Sequence, residues 1–145
     1  MRRAVTGDAP ELSRCIDAAY SIYATRISDL PAVSEGIADE ISNHLVRVAE
    51  SDGTIAGGII MIPDDGFLLV ANIAVHPDHS GKGLGRELME LAASECRQRG
   101  LSELRLITHA GIPENVSLYE HLGWRETGRS GNKVHMSKPV TRHTD

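Results

Sequence analysis

At 145 residues and 41% hydrophobic, the chain is long enough to bury a core without metal or disulfide support and fits one domain covering 1–145. A formal net charge of -5 and 3% aromatic residues exclude a broad phosphate-binding footprint and base-stacking platforms, so nucleic acid is not an expected partner. The two cysteines form no disulfide framework, no run approaches the roughly 18 apolar residues of a membrane span, and MRRAVTGDAP leads into no apolar signal region. A cytoplasmic protein without membrane contact is the expectation.

MRRAV reads as a first strand, and Asp8 followed by Pro10 and Glu11 has the form of a capping box opening a first helix. Leu12, Cys15, Ile16 and Ala19 recur at helical spacing. SIYATRISDLP, with Tyr23 and Arg26 and preceded by Tyr20, has no clean period and reads as a lining segment for a substrate. Val33, Ile37 and Ile41 mark a second, weaker helix interrupted by Gly36. HLVRVAE, TIAGGIIMI and FLLVANIAV, separated by SDG and PDDG, read as an antiparallel meander.

Leu84, Leu88, Leu91, Ala92 and Cys96 then follow helical spacing, with Arg97 and Arg99 near the end and Gly100 as C-cap. SELRLIT alternates as a strand does and, coming after a helix, is expected to lie parallel to FLLVANIAV. IPENVSLYEHLGW reads as a short helix between Pro113 and Gly123, and GNKVHMSK as a closing strand. The fold class is therefore mixed α/β, with six expected strands.

Between FLLVANIAV and the following helix lies VHPDHSGKGLGRELM, with glycines at 81, 83 and 85. A strand that ends in glycines and runs into a helix presents unpaired backbone N–H groups and the positive end of a helix dipole at one point. Glycine also lets backbone approach a bulky pyrophosphate and permits positive φ. A P-loop is excluded, because Lys82 precedes Gly83 with no hydroxyl residue beside it. A dinucleotide fingerprint starting at Gly81 needs glycine where Arg86 stands. An ordinary tight turn, with the glycines serving geometry alone, is the competing reading.

NIAVHPDHSGKGLGREL resembles the acyl-CoA signature Q/R-x-x-G-x-G/A of the GCN5-related N-acetyltransferase (GNAT) family, with Ser80 at the usual Gln/Arg position. ENVSLYEHLGW resembles that family's second signature, a tyrosine shortly before Leu-Gly-aromatic. The resemblance implies a mixed, mostly antiparallel sheet with two splayed parallel strands flanked by helices, and acetyl-CoA as cosubstrate without a metal. It implies that Gly81, Lys82, Gly83, Leu84, Gly85 and Arg86 face the pyrophosphate. It also implies that the backbone of Ile73, Ala74 and Val75 pairs with the pantetheine arm as an added strand would.

The same resemblance implies Tyr119 as the acid that protonates the leaving thiolate. Without it, Val116, Tyr119 and Leu122 read as the buried face of a helix, with Tyr119 a core aromatic. Asn115 is open between capping that helix and contacting the cosubstrate; the more usual family position for asparagine is Ile112 here. Removing the proton from a lysine-like amine at pH 7 costs about 4.6 kcal/mol. No carboxylate stands in FLLVANIAV or LRLITH to do so, leaving His109, Glu120, His121 or a water chain.

His76, Asp78 and His79 read as a solvated loop rather than a metal cluster. Cys15 and Cys96, on apolar faces, are poor acyl carriers, which favours direct attack in a ternary complex on a small-molecule or peptide amine. A homodimer is left open. The alternative function is a catalytically weak acyl-CoA-binding sensor or interaction domain.

Overall fold

The structure, a computed structural model, describes residues 1–23 and 36–140, so Arg26 and Val33 lie outside the described residues. Among the described residues, besides three single 3-10 turns, seven strands and four helices follow in the order β1 (Arg2–Arg3), α1 (Ala9–Tyr20), α2 (Ile37–Asn43), β2 (Leu45–Ser51), β3 (Thr54–Pro63), β4 (Phe67–Val75), α3 (Leu84–Gln98), β5 (Glu103–His109), α4 (Pro113–His121), β6 (Arg125–Ser130) and β7 (Lys133–Pro139). The class is mixed α/β with mostly antiparallel pairing, as expected. The chain divides into two units, Met1–Ile62 with Asn72–Glu90, and Pro63–Ala71 with Leu91–Asp145.

In the first unit the strand order is β1-β2-β3-β4. The SDG signal acts through backbone geometry: Asp52 and Gly53 have φ of 53° and 80°, the pair of left-handed residues that lets a two-residue turn match the strand twist. β2 then pairs antiparallel with β3 from Leu45↔Met61 to Ser51↔Thr54. Leu12, Cys15 and Ile16 of α1 bury with Ile37, Val46, Val48, Ile55, Ile60 and Ala74 in one cluster. At full burial each large aliphatic contributes about 2 kcal/mol.

Adjacent glycines in β3 thin that strand on both faces. A Cβ on Gly58 would meet Leu12 Cδ1 of α1 at 2.7 Å, and a Cβ on Gly57 would meet Leu84 Cδ2 of α3 at 3.2 Å. Strand alternation assigns one glycine to each helix.

In the second unit the order is β4-β5-β7-β6. β4 and β5 pair in parallel, from Phe67↔Glu103 to Val70↔Leu106, as their connection through α3 led one to expect. The ladder ends there, although β4 continues to Val75. β5 pairs antiparallel with β7 along its whole length, and β7 with β6. Leu104, Leu106, Ile112, Val116, Trp124, Val134 and Met136 are buried. α3 ends as its sequence implies: Gly100 has φ 68°, its N–H reaches the Arg97 carbonyl at 3.1 Å, and the Leu101 N–H reaches the Cys96 carbonyl at 2.9 Å, a Schellman closure.

Three expectations are corrected. Asp8 precedes α1 but makes no capping bond to it; its carboxylate pairs with Arg2 at 2.8 Å and accepts the Val5 N–H at 2.8 Å, while Glu11 accepts the Ile55 N–H at 2.9 Å. Gly36 stands before α2 and not within it: at φ 72° it is the N-cap that precedes Ile37. β6 was not expected at all. Every residue of RETGRS is exposed, so an outer strand with no buried face shows no apolar alternation to read.

Candidate functional site

The glycine loop belongs wholly to the first unit. β4 ends at Val75, a 3-10 turn covers Pro77–His79, and α3 starts at Leu84. His76 fixes the turn by accepting the Asp78 N–H on Nδ1 at 3.1 Å, and Ser80 Oγ donates to the Pro77 carbonyl at 2.9 Å. Ser80 thus spends its hydroxyl on the loop itself.

Gly81 and Gly83 have φ of 77° and 79°, and a Cβ at either would meet nothing within 4 Å. Their requirement is conformational, since side chains other than glycine are strained there. Gly85 differs: its φ is not positive, and an added Cβ would make only an ordinary contact, 3.8 Å from Val75 Cγ2. Positive φ therefore explains two of the three glycines, and open approach to the helix end is what remains for the third. The Gly83 carbonyl accepts the Glu87 N–H at 3.1 Å, so the amides of Leu84, Gly85 and Arg86 fall in the first turn, where helix geometry gives them no internal partner. Lys82 and Arg86 are exposed. Lys82 also lines a cavity of about 190 Å³ together with Glu50, Ser51, His79 and Glu87, so carboxylates share its surroundings.

Ile73, Ala74 and Val75 follow the last β4–β5 ladder pair at Val70. Their backbone on that edge lies outside the parallel ladder, as an added-strand partner requires. Asn72, immediately before them, has a buried side-chain oxygen with no hydrogen-bond partner. The sequence showed Asn72 only as a position without a carboxylate, because no periodicity marks an unpaired amide.

Asn115 and Tyr119 belong to the second unit. Ile112, not Asn115, is the N-cap residue of α4; Pro113 occupies the first turn, and the Asn115 N–H reaches the Ile112 carbonyl at 3.0 Å. The capping alternative for Asn115 is thereby removed, since its side chain stands inside the first turn. Tyr119 is half-buried. Its ring lies 5.9 Å from the Trp124 ring at 58°, and its carbonyl accepts the Trp124 N–H at 2.9 Å. The helix buries Val116, while Leu118 is exposed.

Of the candidate bases, His109 Nδ1 accepts the Gly111 N–H at 2.8 Å, and Glu120 and His121 are exposed. Both cysteines are buried and free. Burial pushes the Cys15 thiol up to about 11, and burial likewise raises Cys96, whose Sγ lies 3.4 Å from the Leu101 carbonyl. Thiolates are disfavoured at both positions. Tyr20 and Tyr23 meet edge to face with ring centroids 6.3 Å apart, and burial raises the Tyr20 phenol above its ordinary range. Among the described residues no helix is long and apolar enough to cross a membrane, and no three His, Cys, Asp or Glu side chains group as metal ligands would.

A family model described as an acetyltransferase (GNAT) domain matches residues 42–126, which takes in both the glycine loop and Tyr119. The uncharacterized N-acetyltransferase YjgM of Escherichia coli (strain K12) is 28% identical over 134 residues, covering 86% of this chain and 80% of that protein. The ribosomal protein bS18-alanine N-acetyltransferase of the same strain is 44% identical over 55 residues, 38% of this chain and 37% of its own length. Among solved structures, the PaiA N-acetyltransferase of Thermoplasma acidophilum, in complex with coenzyme A, has the same fold: TM-score 0.86 at 20% identity, over 95% of this chain and 96% of that one. A loop geometry suited to an anion, a β4 edge free of its parallel ladder and a match over more than half of the residues converge: the chain belongs to the GNAT acetyltransferase family.

Proposed function

We propose that the chain, acting as a single domain, transfers an acetyl group from acetyl-CoA to a primary amine on a small molecule or peptide by direct attack in a ternary complex. The observation that carries this reading is the loop: left-handed Gly81 and Gly83 lead into the open first turn of α3, and the family match includes them. Gly81, Lys82, Gly83, Leu84, Gly85 and Arg86 hold the pyrophosphate, chiefly through backbone amides and the helix dipole. The backbone of Ile73, Ala74 and Val75 holds the pantetheine amides. When bound, acetyl-CoA supplies the activated acetyl group.

Tyr119 Oη gives a proton to the departing thiolate, a deficit of only about 2 kcal/mol at pH 7. Asn115, in the first turn of α4, contributes a polar contact to the cosubstrate. Two buried cysteines held in their thiol form argue for direct attack over an acyl-cysteine route, and they suit a reducing cytoplasm. A relative that acetylates the alanine amine of a ribosomal protein supports an amine acceptor and a peptide as one candidate class.

The test is thiol release from acetyl-CoA across a panel of primary amines, with thermal unfolding in parallel. Saturation at one hundred times the dissociation constant adds about 2.7 kcal/mol of stability. No rise in Tm with acetyl-CoA or CoA refutes the cosubstrate. A rise without thiol release from any amine replaces this reading with an acyl-CoA sensor.

A further inference from the structure

We propose that Asn72 positions the acceptor: its Oδ1 accepts an N–H of the incoming amine and turns the nitrogen lone pair toward the reacting carbonyl. The inference rests on the acetyltransferase reading and deepens it, since that reading assigns Asn72 nothing.

Two buried side-chain atoms among the described residues lack a hydrogen-bond partner, Glu40 Oε2 and Asn72 Oδ1. Glu40 Oε2 lies 3.6 Å from His44 Nε2 one turn along α2 and has a charge partner whenever that imidazole is protonated. Asn72 has neither ion pair nor hydrogen bond to account for its oxygen. A buried carbonyl oxygen left without a donor costs free energy, so it persists where a donor arrives with a ligand.

The position says which ligand. Asn72 is the residue before Ile73, in the stretch of β4 that has left the parallel ladder. Strand alternation puts its side chain on the same face as Ala74, two residues on. Ala74 buries in the cluster built by Leu12, Cys15 and Ile16, against which Tyr20 packs. Asn72 Oδ1 therefore lies on the α1 face of β4, beside the backbone proposed to hold the pantetheine.

The chemistry of an amide suits this task. A carboxylate here offers a base for the amine's proton, but its charge also stabilises the ammonium form and raises the amine's pKa. An amide oxygen is a neutral acceptor: it orients an N–H without that penalty, and it takes up no proton itself.

Three proteins decide the matter: wild type, Asn72→Leu and Asn72→Asp, assayed with acetyl-CoA and, as acceptors, a peptide with an N-terminal alanine and spermidine. Asn72→Leu is expected to keep the Tm of the unliganded protein or raise it, keep the acetyl-CoA dissociation constant, and raise the acceptor KM about three- to tenfold. Asn72→Asp is expected to move the acidic limb of the kcat profile to higher pH by about one unit or more, as a charge beside the amine does. An unchanged acceptor KM in folded Asn72→Leu overturns the assignment, as does a profile for Asn72→Asp that is unmoved or moved to lower pH. A wild type that binds acetyl-CoA but releases thiol with no amine overturns the acetyltransferase reading itself, and this role with it.

Discussion

Gly57 of β3 stands directly behind the carbonyl of Ala74: a Cβ added to Gly57 would lie 2.8 Å from that oxygen, with Leu84 Cδ2 at 3.2 Å and Leu88 Cδ1 at 3.5 Å. A backbone oxygen cannot swing aside as the end of a side chain can. Gly57→Ala must therefore displace β4 at the residue proposed to pair with pantetheine. The expected cost is about 1–3 kcal/mol of stability, typical of overpacking, together with weaker acetyl-CoA binding. Gly58→Ala is the control. There the closest atom is Leu12 Cδ1 at 2.7 Å, the tip of a flexible side chain, and α1 rather than β4 takes the strain. Thermal unfolding and calorimetry on both variants check this; loss of acetyl-CoA affinity in Gly58→Ala alone would contradict it.

The three loop glycines separate by sign. Gly83→Ala is expected to destabilise by about 1 kcal/mol, because alanine is strained at φ 79° whatever the space around it. Gly85→Ala is expected to stabilise the unliganded protein by up to about 1 kcal/mol, since it replaces glycine inside the first turn of α3 and meets only Val75 at 3.8 Å. Both should weaken acetyl-CoA binding, Gly85→Ala by covering amides that the pyrophosphate needs. Lys82→Ala should weaken it less, because carboxylates of Glu50 and Glu87 line the cavity that Lys82 shares. Calorimetry in which Lys82→Ala is the worst of the three would sink the backbone-cradle account.

How much of this was legible in the sequence depends on which interactions leave a period or a spacing. The meander, α3 and its Gly100 closure were readable because each is specified locally, by turn residues and apolar recurrence. Gly81, Gly83 and Gly85 were readable as a set that needs bare backbone, but which of them needs positive φ was not, since φ is not written in a glycine. β6 escaped because an outer strand with no buried residue carries no pattern. The Asp8 carboxylate went to Arg2 and the Val5 amide instead of α1, a competition no spacing reveals. Asn72 could be read only as the lack of an acid; its unpaired oxygen is a property of the folded strand.

The Arg2–Asp8 pair makes a pH prediction. Hydrogen bonding from the Arg2 guanidinium is the largest reason the Asp8 carboxyl sits below its ordinary range, and the Val5 amide adds to it; Arg2 also bonds Glu50. A depressed folded-state pKa gives stability that is present above the unfolded value, near 3.9, and lost as pH falls through the lowered one. Asp8→Asn should therefore cost about 1 kcal/mol at pH 7, the pair being partly exposed and screened by salt. The difference from wild type should shrink as pH drops below about 4. Denaturant melts of both proteins at pH 7 and near pH 3 measure it; a gap that persists in acid would mean that the carboxylate is not its source.

Tyr119→Phe separates chemistry from packing. The ring sits 5.9 Å from Trp124 and is retained in the variant, so this aromatic contact should survive. If Oη protonates the leaving thiolate, its loss is felt in the transition state and not in ground-state binding. General acid catalysis is typically worth about 10² to 10⁴ in rate, and the lower end or somewhat less is expected here, because a thiolate leaves tolerably well unaided. The acetyl-CoA dissociation constant should barely move. A purely structural tyrosine would behave in the opposite way, with a lower Tm if a hydroxyl hydrogen bond is lost but full turnover in the molecules that remain folded. Measuring kcat, cosubstrate affinity and Tm on one preparation of Tyr119→Phe distinguishes the two, and undiminished turnover from a folded variant would remove Tyr119 from the mechanism.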